Sequence, residues 1–343
     1  MKKRLRTIAW LAVAAAVLTL LAWDVKWDTF RQQLTRLQWR WAAPAVVLFI
    51  SAQAMLAVRW VLLLRVQGVH LAMSQAVKLT FLGLFYNNVM PGAVGGDILK
   101  AWFVTRHSDR HLRVEAALTV LVDRLIGLGG ILLVAAVASL MLGGEVAYEG
   151  IQIRWLVRGI VVGMLPLAAL VLSRRSRQWL LARPWLQRMR FAVVLNKIDA
   201  AIQLYRRDLR TVGLSLLITV LVQTLALVAV WMLAQSLGLT QVRLVETITI
   251  MPVIWLLAAA IPVPGGLGVM EGAVTYLFGV AINPDDPKTA YTMAAALALL
   301  NRLMICTASL PGGLVPVFGG HLPKAEQMEA ELAQNAPDAQ ATN

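Results

Sequence analysis

The sequence predicts an all-α polytopic membrane protein with about six full spans and two re-entrant broken-helix segments arranged as an inverted repeat. Three observations carry that prediction. Apolar residues make up 59% of the 343-residue chain and charged ones only 15%, with a mean hydropathy of +0.69, the balance of a chain that lives in lipid. Two apolar stretches are interrupted by prolines, glycines and polar residues, at 86–97 and 262–272; a continuous membrane helix cannot run through either. Basic residues gather in a few loops, which orients the spans oppositely in the two halves.

Residues 1–40 are read as a first span plus an interfacial helix. Lys2, Lys3, Arg4 and Arg6 precede an apolar run at 8–23 that ends in Trp23-Asp24 without a small-residue cleavage site. The run therefore reads as a span with its N-terminus inside rather than a signal peptide. Residues 24–41 are too polar to cross; Trp27, Phe30, Leu34, Leu37 and Trp41 recur at helical spacing, the pattern of a helix lying in the interface. The first repeat half covers 41–142. It opens with a span at 41–66, whose Arg59 and Arg65 are placed to snorkel toward the inner end. A re-entrant segment at 74–102 follows, flanked by Lys78, Lys100, Arg106, Arg110 and Arg113. A span at 114–142 closes the half.

Glu145 and Glu149 mark an outer loop, and 155–172 returns to the cytoplasm as the connecting span of a 143–212 segment. Residues 174–210 hold ten arginines and lysines against Asp199 and Asp208, the strongest cytoplasmic marker in the chain. The second half, 213–318, repeats the plan inverted: a span at 213–239, a re-entrant segment at 247–282 entered from outside, and a span at 290–318. Residues 319–343, rich in Ala, Gln and Glu, read as a disordered cytoplasmic tail.

Charge at depth points to the candidate site. Arg124 lies ten residues beyond Val114 and Arg302 twelve beyond Ala290, about 15 and 18 Å into a core of about 30 Å. A midplane arginine costs at least ~2.5 kcal/mol unless it finds a partner or a hydrated cavity. Two roles stay open. Arg124 can pair with Asp97 or Asp123, and Arg302 with Glu271, as structural ion pairs. Alternatively, one or both guanidiniums clamp a lipid phosphate bidentately, and the matched placement of Asp123-Arg124 and Asn301-Arg302 in the two halves favours this. Gly95-Gly96 and Gly266-x-Gly268 lead into helix starts whose N–H groups attract anions. Asn87, Asn88, Gly95, Gly96, Gly266 and Gly268 are read as cavity-lining, with Asp97 and Glu271 also able to cap the following helices.

Other classes find little support. A net charge of +14 sits in loops facing anionic lipid head groups, not in a nucleic-acid surface. Cys306 is solitary, and His70, His107, His111 and His321 show no ligand spacing, so neither a metal nor another cofactor is expected. Neither a catalytic triad nor a nucleotide loop occurs, and the chain is not read as an enzyme.

With Asn88-x-x-Pro91-Gly92-x-x-Gly95-Gly96-Asp97, Asp123-Arg124-x-x-Gly127 and Pro264-Gly265-Gly266-x-Gly268-x-x-Glu271 in hand, the chain resembles the lysylphosphatidylglycerol synthase transmembrane family of flippase-like membrane proteins, over nearly all of 8–318. The resemblance implies a bacterial inner-membrane protein, both termini cytoplasmic, that moves a lipid between leaflets. Well-known members carry a soluble aminoacyl transferase; only a short tail follows Phe318, so synthase activity is not expected. Stand-alone relatives are linked to hopanoids and isoprenoid-linked carriers, which leaves the cargo a phosphate-bearing or isoprenoid/hopanoid-type lipid. The competing reading is a non-transporting scaffold for a lipid or cell-envelope synthesis complex, recruiting partners through 174–210. Either role allows a homo-oligomer.

Overall fold

A computed structural model describes residues 27–89, 95–108, 112–141, 147–148, 151–152, 208–261, 266–282 and 286–319, together with residues 159, 162, 163, 175, 179 and 205. The spans expected at 8–23 and 155–172, most of the basic loop 174–210 and nearly all of the tail 319–343 lie outside the described residues. So do Pro91, Gly92, Pro262, Pro264 and Gly265.

Among the described residues the chain folds into nine helices. They are α1 (Trp27–Thr35), α2 (Trp39–Val66), α3 (Met73–Val89), α4 (Gly95–His107), α5 (Arg113–Met141), α6 (Leu209–Ser236), α7 (Leu244–Ala260), α8 (Val269–Ile282) and α9 (Pro287–Gly319). A hairpin of two residues per strand, Ala147–Tyr148 against Ile151–Gln152, follows α5. Four helices are long and apolar enough to cross a membrane: α2, α5, α6 and α9. The shorter α7 and α8 are apolar as well. The two breaks expected from sequence fall between α3 and α4 and between α7 and α8.

Helix ends follow local chemistry. At 28 residues, α2 and α6 each measure about 42 Å, longer than the hydrocarbon core, so each crosses with room to tilt. Both stop at a glycine of positive φ, Gly68 (73°) and Gly238 (72°). In each case the following residue's N–H reaches back five positions, Val69 to Leu64 O and Leu239 to Ala234 O, both at 3.0 Å. That is the Schellman arrangement, which satisfies terminal carbonyls and requires a left-handed residue. At the start of α6, Asp208 caps Thr211 N at 3.0 Å and its hydroxyl at 2.7 Å.

The α2 and α6 helices run antiparallel as the central pair. Gln38 N donates to Ser236 O at one end (2.8 Å), Trp41 meets Trp231 edge-on at 5.6 Å, and Tyr205 Oη donates to Leu63 O at the other end (2.9 Å). Buried alanines at 42, 45, 229 and 234 share one cluster between them; small residues let membrane helices approach closely where lipid offers no hydrophobic drive. The short arms α3 and α4 fold back on one another at a glycine contact, since a Cβ on Gly96 would lie 2.1 Å from Gly83 O. The last span of each half packs on the first arm of the other, α9 on α3 and α5 on α7. At the first crossing Gly312 sits so close that an added Cβ would meet Phe81 O at 2.0 Å. Pro311-Gly312-Gly313 therefore runs through a helix, because the missing side chains make room for α3.

The helix expected at 24–41 is corrected in its extent, running over Trp27–Thr35. Helix ends at Thr35, the backbone at Gln38 is extended, and Trp41 belongs to α2. Phe30, Leu34 and Leu37 pack against the protein core.

Candidate functional site

Asp97 is the third residue of α4 and Glu271 the third of α8, and each carboxylate meets the buried-depth arginine of the span that follows. Arg124 Nη2 donates to Asp97 Oδ1 at 2.6 Å, and Arg302 Nε donates to Glu271 Oε1. Both pairs tie the second arm of a broken segment to its neighbouring span. They differ in exposure: the Arg124 side chain is 54% exposed, whereas Arg302 is 12% exposed. In lipid an open guanidinium at that depth requires water or an anion beside it.

The helix starts are capped by side chains. Gly96 N donates to Asn87 Oδ1 at 2.9 Å, so the end of α3 caps the start of α4. Gly268 N donates to Glu271 Oε2 at 2.7 Å, a reciprocal bond of the capping-box kind. Glu271 thus caps α8 with one oxygen and holds Arg302 with the other. Gly266 and Gly268 have φ of 66° and 78°, the left-handed geometry that turns the chain into α8. The N–H groups of Gly96 and Gly268 have protein acceptors already, so the anion-attracting part of the geometry rests on the arginines. Gly95 opens α4. Asn88 is not brought to a partner: its Nδ2 is buried without an acceptor.

Asp123 and Arg124, adjacent in sequence, point about 100° apart around α5 and serve different helices. Arg124 turns to α4, while Asp123 accepts Arg59 Nε from α2 at 2.8 Å. Arg59 also donates from Nη2 to Asp123 O at 3.2 Å and from Nη1 to Thr219 Oγ1 at 2.8 Å. Its expected snorkelling is corrected: the residue is 4% exposed and saturated by α5 and α6. Gly127, one turn beyond Asp123, leaves it room, since an added Cβ would lie 3.7 Å from Nη1. In the second half Asn301, beside Arg302, is buried with Nδ2 3.7 Å from Met270 Sδ.

Sequence reasoning passed over Arg59, Thr219 and Lys100. A signal existed for Arg59: it lies seven residues before the end of α2, about 10 Å in, deep for a snorkelling side chain. Lys100, read as a flanking cation, is the sixth residue of α4. The residue is half-buried, and its ammonium stands 5.0 Å over the Trp60 ring. Among the described residues no three His, Cys, Asp or Glu side chains gather as a metal site.

Comparison with known proteins finds a matching family model and a similar protein. The family model described as "Lysylphosphatidylglycerol synthase TM region" matches residues 7–307. A UPF0104 membrane protein of Pyrococcus horikoshii is 25% identical over 127 residues, 37% of this chain and 37% of the relative's own length.

Proposed function

The chain belongs to the lysylphosphatidylglycerol synthase TM region family, and on that premise we propose that it is a lipid translocase that does no chemistry on its cargo. The observation that carries the reading is the repetition of one device in both halves. Each re-entrant arm presents a carboxylate in its first turn to an arginine deep in the next span, Asp97 to Arg124 and Glu271 to Arg302. A lipid phosphate matches the same guanidinium geometry as a carboxylate. Head-group entry would exchange one anionic partner for another, keeping the charge neutralised throughout, while the acyl chains stay in lipid. Asp97 and Glu271 hold the arginines when the site is empty.

An inverted repeat is supported by lengths and packing. The first spans are both 28 residues, the first arms both 17, and the second arms 13 and 14. Exchanging α2–α5 for α6–α9 leaves the pattern of main helix pairings within those eight helices unchanged. Such repeats underlie alternating access in many transporters. The basic segment 174–210 puts the loop before α6 in the cytoplasm of a bacterial inner membrane by the positive-inside rule, with both termini on the same side. From there the first broken segment dips in from inside and the second from outside.

The test is head-group movement in proteoliposomes, followed with fluorescent lipids and an impermeant quencher. Arg124→Ala and Arg302→Ala, each reconstituted at a temperature where it stays folded, lose transport. Normal movement in both variants rejects the clamp.

A further inference from the structure

The two halves share the carboxylate–arginine device but not its surroundings, and the difference is one of charge. Among the described residues the ion pair at Arg302 is one guanidinium against one carboxylate, Glu271. The sixth residue of α8 is Val274, 1% exposed in the apolar core, and the residue before Arg302 is the neutral Asn301. In the first half the corresponding places hold Lys100 and Asp123. Arg59, Lys100 and Arg124 there stand against two carboxylates: Arg59 pairs with Asp123 and Arg124 with Asp97, while Lys100 lies about one turn beyond Asp97 on α4. One positive charge is left over at membrane depth.

The surplus can be traced to atoms. Arg59 is spent on Asp123 and Thr219 through all three nitrogens. Arg124 uses only Nη2, on Asp97, leaving Nε and Nη1 of an open fork. Lys100 reaches no carboxylate; its ammonium rests over the Trp60 ring, and its Cε lies where a Cβ on Gly83 would approach to 3.2 Å. Trp60 is fully buried, and its indole N–H has no acceptor. A cation over an aromatic face is partly stabilised, but a half-buried lysine with no ion pair among the described residues still calls for an anion.

We propose that the first half holds an anion subsite, formed by Lys100 and the open side of Arg124, that binds a phosphate group and makes the cargo a net-anionic phospholipid. Its role in transport rests on the translocase reading above. Among the described residues the second half has no counterpart of Lys100, so the two halves hold the head group unequally. A neutral sterol-like lipid gains nothing from the surplus charge, and a head group with added positive charge is opposed by it.

The experiment uses the full chain in nanodiscs of phosphatidylcholine doped with phosphatidylglycerol of the same acyl chains. Lipids retained on the protein are counted by native mass spectrometry. The wild type retains phosphatidylglycerol in excess of its bulk share. Lys100→Met loses that excess by at least about tenfold, the worth of one charge-assisted contact, and Lys100→Arg keeps it. Retention unchanged in a folded Lys100→Met overturns the assignment. If that variant fails to fold, the wild-type preference decides alone, and its absence overturns the site. Displacement of phosphatidylglycerol by millimolar inorganic phosphate supports the shared phosphate chemistry; retention of inorganic phosphate without any lipid preference overturns the lipid source. A wild type that moves lipid without preferring the anionic one sinks the subsite and spares the translocase. One that retains phosphatidylglycerol but moves nothing does the reverse.

Discussion

Arg124 on α5 donates to Asp97 in the first turn of α4 at 2.6 Å while more than half of its side chain stays open. The matching pair in the second half, Arg302 with Glu271, is largely closed off. Equal chemistry in unequal burial gives unequal energetic consequences.

Removing one partner of a buried pair strands the other, at a cost of roughly 3–5 kcal/mol, whereas an open pair contributes about 1 kcal/mol or less. Arg302→Ala is therefore expected to lower the thermal midpoint in detergent by clearly more than Arg124→Ala. Equal midpoints for the two variants would contradict the difference in burial.

Asp123 is expected to act through structure rather than cargo. Arg59→Met leaves its largely covered carboxylate, 13% exposed, without its ion-pair partner, with a loss on the order of 3 kcal/mol. The double variant Arg59→Met/Asp123→Leu removes both charges and recovers most of that stability, and it keeps lipid movement because the local charge balance is unchanged. Transport lost in a stable double variant would return Asp123 to the cargo site.

Glycine contacts separate two kinds of substitution. Gly96→Ala drives a Cβ to 2.1 Å from Gly83 O, backbone that cannot yield without parting α3 from α4, and misfolding or a large midpoint drop is expected. Gly68→Ala meets nothing within 4 Å and is left with only the strain of a positive φ, about 1 kcal/mol. Thermal scans of the two variants in one detergent test the ranking.

The N-cap of α6 gives a pH signature outside the spans. Hydrogen bonds from Thr211 N–H and its hydroxyl hold the Asp208 carboxyl below its ordinary value. A depressed carboxylate contributes stability above its unfolded pKa and loses it as pH falls through the folded one. The stability gap between wild type and Asp208→Ala is thus expected to be full at neutral pH. It closes as pH drops below the ordinary aspartate pKa of about 3.9. A gap that persisted unchanged into strong acid would deny the cap.

Much of this fold is legible in the chain alone because its causes are local. Run length and hydropathy mark α2, α5, α6 and α9. Proline and glycine mark the two breaks, and depth along a helix singles out Arg124 and Arg302 as charges that must be matched. Partner choice is not local. Whether Arg124 takes Asp97 or Asp123, both within reach by sequence, depends on the rotation of α5 against α4 and α2. That rotation is set by Gly83 against Gly96 and by the antiparallel seating of α2 on α6. The same crossings bury Arg59 beside Thr219, 160 residues away, and bring Lys100 over Trp60. Hydropathy determined that cations would fall within apolar helices; only the packing of helices from both halves decided which carboxylate each arginine meets and how far it is covered.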